Sequence, residues 1–196
     1  MKILLTGSRG RLGVELKKHL GVIDFIGDIT LPIKKEECEL VIHSAAYTDV
    51  TGAEQDSEKC FHTNVYGTSN ITNTYIDTPF VYISSEYAKN PLGIYALTKY
   101  LGEEVIKTHP HHLIIRTLFK PNPFPFDKAY TNQYTQGDYV DVIAKLIADM
   151  IKEWNKKSDL VYIGTGRKTM FELAKRTRPD VVPDQITNPI IPKDYL

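Results

Sequence analysis

The opening residues constrain the fold most, because an apolar run leads directly into a loop with three regularly spaced glycines. Ile3-Leu4-Leu5 precedes Gly7, Gly10 and Gly13, and the pattern from Val14 to Leu20 predicts a helix. A buried parallel strand needs such an apolar run, because helices cover both faces of its sheet. In a strand–loop–helix unit, glycines permit a tight turn and a close approach of the backbone to a pyrophosphate. The spacing therefore favours a nucleotide-binding turn over an ordinary one.

The composition limits the partners that we expect. Lys and Arg together number 24, as do Asp and Glu, so no basic surface for nucleic acid or membrane is indicated. No apolar run approaches the roughly 18 residues of a membrane helix, and the first residues lack a signal-peptide pattern. The two cysteines, Cys38 and Cys60, suit a reducing compartment. We therefore expect a soluble cytoplasmic protein that binds neither nucleic acid nor membrane.

Short apolar strands alternate with helical patterns along the chain. Beyond the first unit, strands are predicted at 21–27, 40–43, 80–83, 112–119 and 160–163, and helices at 53–76, 94–106, 138–154 and 169–176. This alternation is typical of an α/β protein with a doubly wound parallel sheet, the Rossmann fold. The connection 31–39 is too short for a full crossover helix, and the tail 179–196 is expected to be extended. We predict a nucleotide-binding domain over 1–119 and a small, truncated substrate lobe over 120–196 that partly returns to the sheet.

Charged and small residues lie where a dinucleotide fold meets its ligand. Asp28 follows the second predicted strand, close to the distance at which such folds place a carboxylate near the adenosine. Arg9 lies in the glycine loop. Either its guanidinium binds a 2′-phosphate, or Arg9 is simply an exposed residue of the loop. Ala45 and Ala46 follow the third strand, where small residues let a ligand approach the carboxyl edge of the sheet.

Three polar residues are predicted to converge at the same edge. Ser85 follows the fourth strand, and Tyr95 and Lys99 lie four residues apart on the next helix, hence on one face. A tyrosine hydroxyl has an ordinary pKa near 10, and a nearby ammonium favours its phenolate, so the pair can exchange a proton. A serine hydroxyl can hold a substrate oxygen where charge develops. Taken singly, each residue fits a structural role better than a catalytic one.

Several short motifs occur in the order of a known enzyme family. They are Thr6-Gly7-x-x-Gly10-x-x-Gly13, Asp28-Ile29-Thr30, Ala45-Ala46-Tyr47-Thr48, Asn64-Val65-x-Gly67-Thr68, Ser84-Ser85-Glu86-Tyr87, Tyr95-x-x-x-Lys99 and Ile115-Arg116-Thr117. Together they resemble the extended short-chain dehydrogenase/reductases, and within these the dTDP-4-dehydrorhamnose reductase family. The resemblance covers residues 1 to about 119 well and continues weakly beyond them.

This resemblance implies an NAD(P)H-dependent oxidoreductase that reduces a 4-keto nucleotide sugar. Tyr95 would donate the proton, Lys99 would lower the pKa of Tyr95, and Ser85 would take the place of the family's catalytic Ser or Thr. The implied cofactor is NADP, favoured by Arg9, with NAD possible. The implied cofactor-binding residues are Gly7, Ser8, Arg9, Gly10, Arg11, Leu12, Asp28, Ile29, Ala45, Ala46, Tyr47, Asn64, Tyr95 and Lys99. The implied substrate-binding residues are Ser85, Glu86, Tyr87 and Thr117, with no metal, and helices 53–76 and 94–107 would form a homodimer.

Departures from the family pattern leave other functions open. Val50-Thr51-Gly52 replaces a stretch that usually carries a charged pair, Ile191-Pro192 stands where Arg-Pro is usual, and the lobe after Phe119 is short. The alternatives are a nucleotide-sugar epimerase and a non-catalytic NADP-binding regulatory module. Ser85-Glu86-Tyr87 supplies one acid only, which argues against dehydratase chemistry. His109-Pro110-His111-His112 lacks a fourth metal ligand, and a solvated turn is favoured there.

Overall fold

A parallel sheet of six strands forms the centre of the computed structural model, which describes residues 1–194. Numbered along the chain, its strands are β1 (Ile3–Thr6), β2 (Val22–Asp24), β3 (Leu40–His43), β4 (Phe80–Ser85), β5 (His112–Thr117) and β10 (Asp159–Tyr162). Their order across the sheet is β2-β1-β3-β4-β5-β10, and every neighbouring pair is parallel. The predicted doubly wound parallel sheet is confirmed.

Helices cover both faces of the sheet. They are α1 (Arg11–Leu16), α2 (Gly52–Gln55), α3 (Ser57–Phe61), α4 (Thr68–Thr74), α5 (Ile94–Lys107), α6 (Val140–Glu153) and α7 (Met170–Lys175), with a 3-10 turn at Glu86–Lys89. On one face α1 contacts α6, and on the other α4 contacts α5. Among the described residues, no helix is long and apolar enough to span a bilayer.

The strand side chains alternate between two hydrophobic cores. In β1, Ile3 and Leu5 are buried with residues of α1 and α6, whereas Leu4 is buried with Ile71 of α4 and Ile106 of α5. Successive side chains of a strand point to opposite faces, so a strand covered on both sides must be apolar throughout. This requirement explains why the apolar runs of the sequence predict the strands well.

The connection from β2 to β3 contains no helix. Residues 25–39 run from one strand to the other as an irregular segment, as the short spacing predicts. Phe25, Ile33 and Cys38 from this segment pack against the edge of the core that contains α4. The backbone N–H of Glu36 donates to the Tyr75 hydroxyl at 3.0 Å, which ties the segment to the end of that helix.

After β5 the chain adds short strands outside the central sheet. They are β6 (Phe119–Lys120), β7 (Lys128–Tyr130), β8 (Tyr134–Thr135), β9 (Asp138–Tyr139), β11 (Lys168–Thr169) and β12 (Val182–Asp184). In pairs, β6 and β9 are parallel, as are β7 and β12, whereas β8 and β11 are antiparallel. Ala129 and Tyr130 of β7 and Tyr139 of β9 share a core with α7. A capping box formed by Thr169 and Glu172 begins α7.

Several predicted elements differ from the structure. The helix predicted from Val14 to Leu20 is Arg11–Leu16, and the strand predicted over 21–27 is Val22–Asp24. The helix predicted over 53–76 is divided into α2, α3, a π-helical segment at His62–Gly67, and α4, which ends at Thr74. The strand predicted over 112–119 ends at Thr117, because the Leu118 carbonyl leaves the sheet and accepts from the N–H of Asp138 at 3.2 Å. The tail forms β12, and its predicted end at Leu196 lies outside the described residues.

Candidate active site

The glycine loop lies where the sheet changes its winding direction. The chain leaves β1 towards β2 on one side and leaves β3 towards β4 on the other, so these two connections diverge and open a crevice between β1 and β3 at the carboxyl ends of the strands. Gly7 follows β1 with φ +68°, a conformation that favours glycine. A Cβ at Gly7 would lie 2.7 Å from the Ala45 nitrogen after β3, so only glycine fits this close approach.

The other two glycines close the same loop. The N–H of Gly10 donates to the Gly7 carbonyl at 2.9 Å, and the N–H of Val14 donates to the Gly10 carbonyl at 2.9 Å. A Cβ at Gly13 would lie 2.3 Å from the Gly7 carbonyl oxygen and 2.7 Å from the Ser8 Cα. The first turn of α1 therefore packs directly on the loop that precedes it, as a dinucleotide-binding turn requires.

A first cavity of about 870 Å³ extends from this loop to the ends of β4 and β5. One end is lined by the glycine loop, Ile29, Ala45 and Ala46, and the other by Ser85, Tyr95 and Lys99. The sequence-predicted catalytic group and the glycine loop thus face one continuous space. Its volume is in the range of ordinary ligand-binding sites.

Tyr95 contributes a protonated phenol to the cavity. Burial raises the pKa of Tyr95 to about 12, and a hydrogen bond with Ser85 opposes that shift. The Ser85 hydroxyl oxygen also accepts from the Tyr87 N–H at 3.2 Å, which positions it at the end of β4. The Tyr87 ring meets the Tyr95 ring edge to face, with centroids 6.0 Å apart.

Lys99 lies at the same end, but it is directed to the backbone. Its Nζ donates to the Ile83 carbonyl at 2.8 Å and lies 4.2 Å from the centroid of the Tyr82 ring. Burial lowers the pKa of Lys99 to about 7, and the Glu103 carboxylate opposes this shift. The sequence predicts that Lys99 lowers the pKa of Tyr95, whereas in the structure burial determines that pKa.

The charged side chains around the first cavity have one sign. They are Arg9, Arg11, Lys99 and Lys120, and no carboxylate occurs among its lining residues, all of which lie within residues 1–194. A cavity whose charged lining residues are all basic is electrostatically suited to an anionic ligand.

Most of the predicted site residues line this cavity. Those that do are Gly7, Ser8, Arg9, Gly10, Arg11, Leu12, Ile29, Ala45, Ala46, Ser85, Tyr87, Tyr95, Lys99 and Thr117. Those outside its lining are Asp28, Tyr47, Asn64 and Glu86. The structure therefore separates the predicted set into a group that can touch a ligand and a group that supports the walls.

The four residues outside the lining have identifiable structural contacts. Asp28 Oδ1 accepts from the N–H and hydroxyl of Thr30, both at 2.8 Å. The Asn64 side chain accepts from the Tyr47 N–H at 2.7 Å and donates to its carbonyl at 3.2 Å, which fixes the loop after β3. Glu86 is buried, and its carboxylate accepts from the Thr135 hydroxyl at 2.6 Å and from the Gln136 N–H at 3.2 Å. Burial raises the pKa of Glu86.

The sequence-based prediction missed the wall contributed by the segment after β5. Phe119, Lys120 and Phe126 line the first cavity together with Pro121 and Pro125. The three prolines at 121, 123 and 125 indicate a loop in the sequence, but nothing in their spacing shows on which side of the sheet that loop lies.

A second cavity of about 730 Å³ adjoins the first. The residues that line both are Arg11, Thr48, Val50, Tyr87, Lys120 and Phe126. Phe124, Tyr130, Met170 and Ile191 give the second cavity apolar walls from the later part of the chain. Within the described residues, no group of three or more His, Cys, Asp or Glu side chains could hold a metal ion.

Residues 1–145 match the protein family described as the RmlD substrate binding domain. The chain belongs to this family. Nearly three quarters of the 196 residues are matched, so this RmlD-family chain carries its glycine loop, Ser85, Tyr95 and Lys99 within the matched part. The predicted family resemblance is confirmed.

Relatives of this RmlD-family chain include two dTDP-4-dehydrorhamnose reductases. The protein from Salmonella typhimurium is 28% identical over 151 residues, which cover 60% of this chain and 50% of that protein. The protein from Mycobacterium tuberculosis is 26% identical over 180 residues, which cover 75% of this chain and 56% of that protein. The chain thus spans about half the length of each relative.

The fold also resembles solved structures of named reductases. The dTDP-4-dehydrorhamnose reductase of Bacillus anthracis, crystallised in complex with NADP, superimposes with a TM-score of 0.82 at 22% identity. The similarity covers 94% of this chain and 84% of that one. At this identity the comparison establishes the fold.

Proposed function

We propose that this chain is an NADPH-dependent reductase of a 4-keto nucleotide sugar. The observation that carries the proposal is the first cavity, which joins the glycine loop to Ser85, Tyr95 and Lys99 and holds only cations among its charged lining residues. The named activity of the Salmonella and Mycobacterium relatives supports the same reaction class.

The residues present fit a dinucleotide cofactor. Side chains at Gly7 and Gly13 would clash with the backbone of the loop itself and of the segment after β3, so these glycines allow the compact turn that a pyrophosphate-binding loop has, and the nearby cations complement the charge of a pyrophosphate. A reduced nicotinamide would supply hydride-transfer chemistry at the Tyr95 end. We infer NADP rather than NAD from Arg9 and from the NADP complex of the Bacillus anthracis reductase. We also infer that residues 1–119 hold the cofactor and that 120–196 contribute most of the substrate cavity.

Tyr95 is the proton donor in this proposal. With a pKa of about 12, its phenol carries a proton throughout the neutral range, as the reduction of a carbonyl requires. Ser85, hydrogen-bonded to Tyr95, holds the carbonyl oxygen that receives the proton. Lys99 lines the same end of the cavity, and in its protonated form it would stabilise the negative charge left on the oxygen as the phenol loses its proton.

The experiment combines a binding measurement with a turnover measurement. NADPH is titrated against the protein by fluorescence, and its oxidation is then followed with a dTDP-4-keto-6-deoxy sugar. We expect saturable binding and net oxidation. Tightly retained NAD without net turnover would indicate the epimerase, and binding without turnover across a panel of keto sugars would indicate the regulatory module.

We further infer a homodimer in the cytoplasm. The support for the dimer is the pair of long helical segments, 52–74 and Ile94–Lys107, which correspond to the predicted dimer helices. The support for the compartment is that Cys38 and Cys60 are free thiols. Sedimentation as a monomer at high protein concentration would refute the dimer.

A further inference from the structure

Two cations lie where the first and second cavities adjoin. Arg11, the first residue of α1, and Lys120 in β6 line both cavities, whereas Lys128 lines only the second cavity. Among the described residues, no carboxylate forms an ion pair with Arg11 or Lys120. The junction therefore carries positive charge without a counter-charge from the protein.

The surroundings of Lys120 make this charge unfavourable without a ligand. The side chain is half-buried, and its Nζ lies 5.6 Å from the centroid of the Phe126 ring. Burial lowers the pKa of Lys120, and the like charge of Arg11 lowers it further. An anion bound next to the two cations would offset both effects.

The two carboxylates that line the second cavity each accept a hydrogen bond from nearby backbone. Asp49 Oδ1 accepts from the Gly52 N–H at 2.9 Å, and Asp184 Oδ1 accepts from the Gln185 N–H at 2.8 Å. Each of these acids is thus hydrogen-bonded to nearby backbone, whereas the cations at the junction face the open space. The remaining walls are mostly aromatic and apolar, with a few polar side chains such as Thr51 and Gln133, which suits a nucleoside.

We infer that Arg11 and Lys120 bind the diphosphate of the nucleotide sugar, and that Lys128 extends this site into the second cavity. The inference rests on the proposed function. A guanidinium fork and an ammonium are the usual partners of phosphate oxygens. With the nucleoside in the second cavity, the sugar would lie beside Tyr87, which lines both cavities and contacts the Tyr95 ring.

Arg11 also belongs to the glycine loop, so the diphosphate that it binds could be that of the cofactor and not that of the nucleotide sugar. Substitutions of Lys120 and Lys128 distinguish these two ligands, because both lysines lie outside the glycine loop and both line the second cavity. Isothermal titration of dTDP and of NADPH, in separate experiments, distinguishes them. The proteins compared are the unmodified chain, Lys120→Gln, Lys120→Arg, Lys128→Gln and the control Lys34→Gln, which alters an exposed lysine outside both cavities.

We expect Lys120→Gln to weaken dTDP binding roughly tenfold or more, with NADPH binding unchanged within about twofold. Lys120→Arg should bind dTDP within about threefold of the unmodified chain, since it keeps the charge. Lys128→Gln should weaken dTDP binding less, and it keeps the test valid if Lys120→Gln does not fold. The inference would be overturned if Lys120→Gln and Lys128→Gln bind dTDP as tightly as the unmodified chain does. It would also be overturned if these variants lose as much affinity for NADPH as for dTDP, or more. NADPH-dependent turnover in the same proteins would still show that the proposed function stands.

Discussion

Arg116 on β5 holds the buried Glu103 carboxylate of α5 through two hydrogen bonds, of 2.8 Å from Nε and 2.6 Å from Nη2. The Ser84 hydroxyl donates to the same carboxylate. Glu103 follows Lys99 by one helical turn, and its negative charge opposes the effect of burial on the Lys99 pKa. This ion pair therefore joins α5 to the sheet immediately behind the candidate catalytic group.

Replacing Glu103 should destabilise the protein strongly. Glu103→Gln leaves the Arg116 guanidinium without its counter-charge in a site where that side chain is only 11% exposed. Breaking one side of a buried pair costs about 3 kcal/mol or more in the free energy of unfolding. Urea unfolding followed by circular dichroism measures the loss.

The adjacent residue supplies a matched control. Glu104 pairs with Lys107 at the helix surface, where both side chains are more than 40% exposed. Glu104→Gln should therefore change the free energy of unfolding by no more than about 0.5 kcal/mol. Equal losses in the two variants would show that the Glu103–Arg116 pair contributes no more than a surface contact.

Gly13→Ala should disturb the nucleotide-binding turn. The added methyl would meet backbone atoms of Gly7 and Ser8, which cannot move away without opening the loop. We expect a loss of about 2 kcal/mol in the free energy of unfolding and at least about a tenfold weaker Kd for NADPH. Gly21→Ala is the control, because a Cβ there has no neighbour within 4 Å. NADPH binding that survives intact in Gly13→Ala would contradict the assigned role of this loop.

His43 should make the protein sensitive to acid. Its ring is fully buried and hydrogen-bonded to Thr6 at 2.6 Å and to Thr68 at 3.0 Å. Burial lowers the pKa of His43 from 6.5 to about 3. Between these values the unfolded chain binds more protons than the folded one, so stability falls as pH drops from 6.5 towards 3.

Chemical unfolding at several pH values between 3 and 7 tests this sensitivity. His43→Gln should be less stable at pH 7 but should lose less stability on acidification than the unmodified protein. His111→Gln, which alters an exposed histidine, should keep the original slope. An unaltered pH slope in His43→Gln would place the acid sensitivity in other groups.

The central sheet could be predicted because its signal is local. A strand whose side chains are buried on both faces of the sheet needs consecutive apolar residues, and a run such as Ile3-Leu4-Leu5 can be recognised directly in the sequence. The interruption of the helix at His62–Gly67 has no such signal. Its residues are compatible with an α-helix, and the space beside Gly67, at the end of the π-helical segment, is occupied by Ile29 from a distant part of the chain.

Some parts of the candidate site could likewise be predicted from the sequence, and others could not. The convergence of Ser85, Tyr95 and Lys99 could be predicted, since the carboxyl ends of parallel strands meet at one edge and a four-residue spacing stacks side chains on a helix. The contributions of Lys120 and Phe126 could not, because they depend on how the segment after β5 folds back across the crevice. The direction of the Lys99 ammonium towards Ile83 was equally inaccessible, since it depends on the position of a single carbonyl group.

The decisive measurement is single-turnover oxidation of bound NADPH by a dTDP-4-keto-6-deoxy sugar, compared between the unmodified protein, Tyr95→Phe and Tyr66→Phe. Tyr66 is a suitable control because its side chain is 54% exposed and lies outside both cavities. We predict that Tyr95→Phe lowers the rate about a hundredfold or more, while its Kd for NADPH stays within about twofold and Tyr66→Phe reacts normally. An undiminished rate in Tyr95→Phe would contradict the role of Tyr95 as the proton donor.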